Sequence, residues 1–358
     1  MGKEEIEKAR NHIDKIDNEV LLLVNKRVGL AKTIGLAKKQ SDNKTIYRPE
    51  REAQIIKSLI ELNEGPLSAA QVQSIFREII SISRAAEAPL KVSLLGPEGT
   101  YSQLAVRKHF GREINQIFCP TIEEVFSVIE KDQAQIGVVP VENSTEGGVS
   151  STLNCLVTTT LSIIGEIVLR IDHALLGCSA NMNDVDTVFA HEQALAQCRH
   201  WLDHHLPQAN RIAVSSTAEA ARRVGSTNNS AAVASKEAAE IYELPIIEQN
   251  IQDENQNSTR FLIISNEKVE GRSSDKISLL LASRHQAGSL HRLLAPLSDN
   301  GISMTRIESR PSRVGLWEYM FFIDIDGKLS DTNVRVALSA IEQEAALFKI
   351  LGCYPRAR

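Results

Sequence analysis

Arg27 stands where an apolar residue belongs. From Ile6 a heptad-like pattern runs along the N-terminal segment, with one row of Ile6, Ile13, Val20, Arg27 and Ile34 and another of Ala9, Ile16, Leu23, Leu30 and Ala37. That is the pattern of one long helix with a continuous packing seam. A charge in the seam is costly unless paired. Lys38 follows eleven residues later. That interval turns a helix through about 1100°, which leaves the two cations ~20° apart in azimuth and ~16 Å apart along the axis. They can bracket a small anion from one side. Arg10 lies ~42 Å from Lys38 along a straight helix, too far to share a small ligand within one chain. If all three serve one site, Arg10 comes from a second chain, and the chains form an intertwined dimer. The alternative is that Arg27 merely sets register or snorkels to solvent.

Three polar stretches further on could also do chemistry. "LLGPEGTYSQLA" (94–105) is a strand, a Gly-Pro turn and a helix start rich in hydroxyls. It lacks G-x-G-x-x-G, and Pro97 removes an N–H, so a helix N-terminus that accepts a carboxylate is more economical than a dinucleotide loop. "VVPVENSTEGGVS" (138–150) is a buried-strand pattern that opens abruptly onto acids, an amide and hydroxyls. "NSTRFLIIS" (257–265) sets Asn-Ser-Thr-Arg directly before an apolar strand. Singly these are turns; together they suggest three loops converging on a cleft between two lobes. His200 and His204 are i,i+4 neighbours that could bind zinc. No H-E-x-x-H accompanies them, so they read as a polar helix end, and His191 reads as structural. Neither a metal nor a cofactor is expected.

The elements that must carry these residues change character along the chain. Residues 5 to about 88 read as wholly helical. Pro49 sits at a first helical turn, a second helix runs from about 50 to 63, and Ser68 caps a third that reaches about Ala86. From Lys91, short apolar strands such as "KVSLLG", "QIGVVPVE", "SIIGEIVL", "RIAVSS" and "SAAVAS" alternate with helical stretches. This predicts an α/β domain with a largely parallel sheet. "NEKVEGRSSD" reads as a linker. The segment from Lys276 follows the order βαββαβ, a ferredoxin-like unit. The expected domains are 1–89, 90–268 and 275–358.

Bulk properties narrow the class. The 358 residues suit two or three domains, and 42% hydrophobic content supplies real cores. A net charge of −5 gives no general attraction to nucleic acid or membrane. Five scattered cysteines, Cys119, Cys155, Cys178, Cys198 and Cys353, show no C-x-x-C spacing and read as reduced thiols of a cytoplasmic protein. "MGKEEIEKAR" has no apolar stretch of the signal-peptide kind.

Arg10, "KRVGLAK", "RPEREAQII" and "SISRAAE" together resemble the all-helical chorismate mutase domain. The resemblance implies that Arg10 of a second chain, Arg27 and Lys38 hold the two carboxylates of chorismate, with Lys38 also near the ether oxygen. It places Arg51 and Glu52 at the family's Arg-Glu pair, Glu52 facing the substrate hydroxyl, and Ser83 and Glu87 at the third-helix contacts. Arg48 stands where some members have an acid. The chemistry suits such an inventory. Chorismate rearranges to prephenate pericyclically, so catalysis means folding the substrate into a compact conformer and placing positive charge at the breaking ether. Glu87 occupies a position where other members carry Gln. A Glu donates a hydrogen bond only when protonated, so mutase activity is expected to fall as pH rises.

"GPEGTYS", "VPVENSTEGG", "AHEQALAQC" and "STRF" occur in the order and spacing of the prephenate dehydratase family, which this segment resembles. That family's fold is similar to a two-lobed periplasmic binding protein with its active site in the cleft. The resemblance makes Thr259 the acid for the departing hydroxyl, with Arg260 and Phe261 completing its motif. Glu142, Asn143, Ser144, Thr145, Gln197, Thr100 and Ser102 line the pocket, and "SSTAEAA" contributes Ser215 and Thr217. "AGSLHRLL" and "IESRP" resemble the ligand loops of the ACT regulatory domain. They imply that Gly288, Ser289 and Leu290, with Glu308, Ser309, Arg310 and Pro311, bind phenylalanine at a dimer interface. Ser289 replaces the family's usual Ala. Over the whole chain the resemblance implies a bifunctional chorismate mutase–prephenate dehydratase acting in phenylalanine biosynthesis. A non-catalytic small-molecule sensor, and a mutase whose remaining domains are regulatory, stay open as alternatives.

Overall fold

The structure, a computed structural model, describes residues 3–39, 47, 49–179, 181–254, 256–267, 274–283, 286–311 and 319–357. By compactness the chain divides into two units, Met1–Lys91 with His109–Asn115, and Val92–Lys108 with Gln116–Arg358.

The first unit is helical. α1 spans Lys3–Lys39, α2 Pro49–Glu61 and α3 Ala69–Glu87. Ser68 and Gln71 form a reciprocal capping box at the start of α3, Gln71 N donating to Ser68 Oγ at 3.3 Å and Ser68 N to Gln71 Oε1 at 2.8 Å. α1 packs on α3 through Gly35, where an added Cβ would lie 2.5 Å from Glu87 O. The two apolar rows of α1 behave differently from a core seam. Ile6, Ile13, Ile16, Val20, Leu23, Leu30 and Ile34 are all exposed within the single chain.

In the second unit the chain builds one lobe, leaves it, and returns. β1 (Lys91–Leu95), α4 (Tyr101–Phe110), β2 (Asn115–Cys119), α5 (Ile122–Glu130), β3 (Ile136–Asn143), the short β4 (Gly147–Gly148), α6 (Ser150–Thr158) and β5 (Ser162–Arg170) make the first lobe. The second lobe holds β6 (Ala174–Gly177), β7 (Thr187–His191), α7 (Glu192–Gln197), α8 (Arg199–His205), β8 (Asn210–Val214), α9 (Thr217–Val224), β9 (Ser230–Ala234), α10 (Lys236–Ile241) and β10 (Ile246–Gln249). Its sheet order is β10-β6-β9-β7-β8. β11 (Ser258–Ser265) then re-enters the first lobe between β3 and β5, antiparallel to both. The sheets are therefore mixed rather than largely parallel. A strand that returns from the other lobe runs opposite to those already there, and β6 likewise pairs antiparallel with β9 and β10.

The remaining elements are β12 (Lys276–Ala282), α11 (Ser289–Asp299), β13 (Met304–Pro311), β14 (Tyr319–Asp326), α12 (Thr332–Glu344) and β15 (Leu347–Tyr354). They keep the ferredoxin-like order β13-β14-β12-β15. Strand alternation gives this sheet two buried faces. Ile277, Leu279 and Leu281 join Leu293 of α11 and Ile341 of α12 in one core. Leu280, Phe322, Leu351 and Tyr354 join Val141, Leu153 and Leu262 of the first lobe in another. β15 also meets β5 at Gly352 and Ile163, an approach only glycine permits, since a Cβ would lie 2.1 Å from Ile163 O. None of the described helices is long and apolar enough to cross a membrane.

Candidate active sites

In the helical unit the predicted cations are already engaged by α3. Arg27 Nη1 donates to Ser83 Oγ and, at 3.2 Å, to Ile79 O. Burial lowers the Arg27 pKa, with Glu52 opposing. Lys38 Nζ donates to Glu87 Oε1 at 2.5 Å. Glu52 is held by a residue that sequence reasoning passed over. Arg84, 5% exposed, donates from Nη1 to Glu52 Oε1 at 2.6 Å and from Nη2 to Phe110 O at 2.5 Å. Its signal was an arginine in the buried row of α3 with Val72 and Ile80. Arg51 is exposed on α2, and Arg10 is exposed on α1. α1 is continuous from Lys3 to Lys39, so Arg10 cannot reach the Lys38 end of its own chain. Arg48 lies outside the described residues.

In the second unit the ends of β3 and β11 meet. Thr259 pairs with Asn143 across the two strands, and Asn143 Nδ2 donates to Thr259 Oγ1 at 2.9 Å and to Asn257 Oδ1 at 3.0 Å. Asn143 Oδ1 accepts from Thr145 N at 3.0 Å and from Thr145 Oγ1 at 2.6 Å. Ser144 Oγ accepts from Ser258 N at 3.0 Å. Gln197, the last residue of α7 in the other lobe, donates from Nε2 to Thr145 Oγ1 at 3.3 Å. Thr259, Asn143, Ser144, Thr145 and Gln197 are thus brought together across the two lobes.

Other predicted members stand apart from this group. Thr100 donates to Leu95 O at 3.2 Å, and Ser102 is 6% exposed. The residue between them, Tyr101, reaches Asp172 O and His173 Nδ1 with its hydroxyl, each at 2.9 Å. Ser215 is exposed before α9 and Thr217 is buried in its first turn, while Ser216 caps the helix. Glu142 turns toward the C-terminal module, 2.9 Å from Arg306 Nε, a charge contact without hydrogen-bond alignment.

The structure differs most at Arg260 and Phe261. Phe261 is 1% exposed, in the core, and cannot touch a ligand. Arg260 follows Thr259 on a strand, so its side chain leaves by the other face. There it pairs with Glu166 at 2.7 Å and Asp324 at 2.6 Å and donates to Tyr354 Oη at 3.0 Å. Lys276 completes the group, 2.8 Å from Glu166. Burial works against the Arg260 cation, but Tyr354, Asp324 and Glu166 outweigh it and raise its pKa.

The two effector elements sit on the C-terminal module. Gly288, at φ 76°, caps α11 in the left-handed region that favours glycine. Ser289 N donates to Gln286 O at 3.1 Å, and Leu290 is exposed. Glu308, Ser309, Arg310 and Pro311 lie on β13, the edge strand of its sheet. Glu308 pairs with Arg306 at 2.9 Å and packs so closely on Gly148 that a Cβ there would lie 2.2 Å from its carboxylate. No hydrogen bond among the described residues joins the Gly288–Leu290 turn to the Glu308–Pro311 strand. The described residues also hold no group of three or more His, Cys, Asp or Glu that could bind a metal.

A helical unit with paired cations, a two-lobed unit with a polar cleft and a ferredoxin-like module together define a multifunctional small-molecule enzyme with an appended regulatory domain. The family model for chorismate mutase type II matches residues 9–88, that for prephenate dehydratase 92–269, and that for the ACT domain 277–343. The chain is 44% identical over 360 residues to a bifunctional chorismate mutase/prephenate dehydratase of Pseudomonas aeruginosa, covering 99% of both chains. It is 46% identical to one of Neisseria gonorrhoeae, covering 97% of this chain and 96% of the other. Among solved structures, prephenate dehydratase of Arthrobacter aurescens in complex with L-Phe matches with TM-score 0.70 and 31% identity, over 75% of this chain and 90% of that one. The chain belongs to the bifunctional chorismate mutase/prephenate dehydratase family, and so unites an isomerase and a dehydratase in one polypeptide.

Proposed function

We propose that the helical unit isomerises chorismate to prephenate, that the two-lobed unit dehydrates prephenate to phenylpyruvate, and that phenylalanine regulates the flow through the ACT module. The observation that carries the dehydratase assignment is the 2.9 Å hydrogen bond from Asn143 Nδ2 to Thr259 Oγ1. It leaves the Thr259 proton free to be donated to the departing C4 hydroxyl of prephenate. Carbon dioxide and hydroxide leave together, and aromatisation supplies the driving force. Ser144, Thr145 and Gln197 hold the substrate around that hydroxyl, and Thr100, Ser102, Ser215 and Thr217 are assigned as further prephenate-binding groups. Arg260 is assigned to fixing β11 against the regulatory sheet rather than to substrate.

In the mutase, Arg27 and Lys38 take the chorismate carboxylates and Lys38 also meets the ether oxygen. An ammonium has three donors, so Lys38 can keep Glu87 and still reach the ether. Ser83 positions Arg27, Arg84 positions Glu52 toward the substrate hydroxyl, and Arg48 and Arg51 supply further positive charge. Arg10 enters from a second chain. The exposed apolar rows of α1 support that homodimer, since an unpartnered face of this extent marks an association surface. The open edge of β13 and the Gly288–Leu290 turn form the phenylalanine site in the same dimer. The five scattered cysteines, with no C-x-x-C spacing, support a cytoplasmic location.

The test is to supply chorismate and follow prephenate and phenylpyruvate over time, with and without phenylalanine. Prephenate that rises and then falls as phenylpyruvate forms, with phenylalanine suppressing the second step, is the expected result. Prephenate that accumulates without phenylpyruvate would reduce the two-lobed unit to a binding module.

A further inference from the structure

An unbroken series of side-chain hydrogen bonds runs into Thr259 from a histidine that belongs to none of the sequence motifs. His173 is 2% exposed, in the connection from β5 to β6. Its Nδ1 lies 2.9 Å from Tyr101 Oη and its Nε2 lies 2.8 Å from Gln197 Oε1. From Gln197 the series continues to Thr145 at 3.3 Å, from Thr145 to Asn143 at 2.6 Å, and from Asn143 to Thr259 at 2.9 Å.

The directions of the bonds between Asn143 and His173 follow from their partners. The backbone N–H of Thr145 can only donate, so the Asn143 atom it meets is the carbonyl oxygen and the amide nitrogen faces Thr259. The Thr145 hydroxyl also donates to that oxygen and therefore accepts from Gln197 Nε2. Gln197 then turns its carbonyl oxygen to His173, which must donate from Nε2–H. A neutral imidazole with Nε2–H has Nδ1 as acceptor, and the single Tyr101 proton is then shared between Nδ1 and Asp172 O, each 2.9 Å from Tyr101 Oη. Burial lowers the His173 pKa, against the opposing effects of Gln197 and Asp172, and burial raises that of Tyr101, so both stay neutral. At the far end Thr259 Oγ1 accepts, and its own proton is the one left to give.

We propose that His173 is a positioning residue of the dehydratase. Its Nε2–H holds the Gln197 carboxamide as a donor across the cleft and so aligns the Thr145, Asn143 and Thr259 groups that aim the Thr259 hydroxyl. The proposal rests on the assignment of Thr259 to the leaving hydroxyl. Without His173 the Gln197 amide is free to turn over, and its oxygen would then face Thr145.

A glutamine side chain places its amide nitrogen near the Nε2 position of histidine, whereas asparagine reaches only the Nδ1 position. His173→Gln is therefore expected to keep dehydratase kcat within about threefold of wild type. His173→Leu and His173→Asn are expected to lose kcat by at least ~10-fold, the lower end of what one misaligned donor costs, with KM for prephenate little changed. Mutase activity and phenylalanine binding serve as checks that each variant is folded. Equal losses in the Gln and Leu variants, or losses carried by KM alone, overturn the proposal. Thr259→Ala is measured beside them and is expected to abolish dehydration. Turnover surviving in Thr259→Ala overturns the Thr259 assignment itself. Turnover lost there but unchanged in His173→Leu overturns only the role of His173. A second measurement reads the tautomer in the wild-type protein directly. Ring-¹⁵N histidine spectra of the wild-type protein, with the His173 signals identified by their absence in His173→Gln, are expected to show the neutral Nε2–H tautomer at pH 7. A neutral Nδ1–H tautomer would sink the idea.

Discussion

Lys38 and Glu87 meet at 2.5 Å, so in the ligand-free site Glu87 acts as an acceptor. Positive charge that could serve the breaking ether is then partly spent on a neighbouring carboxylate. Glu87→Gln removes that competition and supplies a donor that does not depend on protonation. The expected outcome is tighter chorismate binding, seen as a several-fold fall in mutase KM in steady-state rates. An unchanged KM in the variant would show that Glu87 does not compete with the substrate for Lys38. Arg27 is the counterpart. Its place in an apolar heptad row was the visible anomaly, and Ser83 and Ile79 O are what satisfy it.

α3 presents one face to α1 and another to a small aromatic cluster. Tyr47 donates to or accepts from His109 Nε2 at 2.6 Å, and Arg84 lies 5.9 Å from the Tyr47 ring centre and 5.7 Å from that of Phe110. Burial first, then Arg77 and Arg84, push the His109 pKa down from 6.5 to about 3. Between those values the unfolded chain binds a proton that the folded unit refuses, so stability falls as pH drops. The slope reaches at most ~1.4 kcal/mol per pH unit. Urea midpoints of the helical unit are expected to fall from about pH 7 to about pH 5 by more in the wild type than in His109→Gln. Parallel curves would show that His109 does not titrate on unfolding. β11 makes a different point. "STRF" reads as one motif, yet strand alternation sends Thr259 toward the cleft and Arg260 into the Glu166, Asp324 and Tyr354 network, while Phe261 fills the core.

Across the whole molecule, association and regulation set the expectations. If Arg10 completes the mutase site of a second chain, Arg10→Ala and Lys38→Ala should each be inactive alone. Mixed after reversible dissociation, they regain about a quarter of wild-type mutase activity, because half of randomly paired dimers are mixed and each has one intact site of two. No recovery would place Arg10 outside the site. The regulatory module reaches the dehydratase loop directly, through Arg306 against Glu142 and Glu308 against Gly148. Gly148→Ala would displace the Glu308 carboxylate, since its Cβ would lie 2.2 Å away. Weaker inhibition of the dehydratase by phenylalanine, with mutase rates unchanged, is the expected result of an inhibition assay. An unaltered inhibition curve would discount that contact.

Much was legible along the chain because it is encoded locally. The heptad rows, the Ser68 cap, the Pro49 start and the βαββαβ order depend on residues within a turn or two of one another. The residue types of the cleft, hydroxyls and amides at strand ends, were visible for the same reason. Tertiary structure alone decided which of them meet. Tyr101 finds His173 across 72 residues, Gln197 finds Thr145 across 52, and Asn143 finds Thr259 across 116. The way β11 enters between β3 and β5 decided that Arg260 serves the regulatory sheet. Side-chain direction on a strand, and hydrogen bonds between distant segments, follow from register and packing, which no local pattern of residues contains.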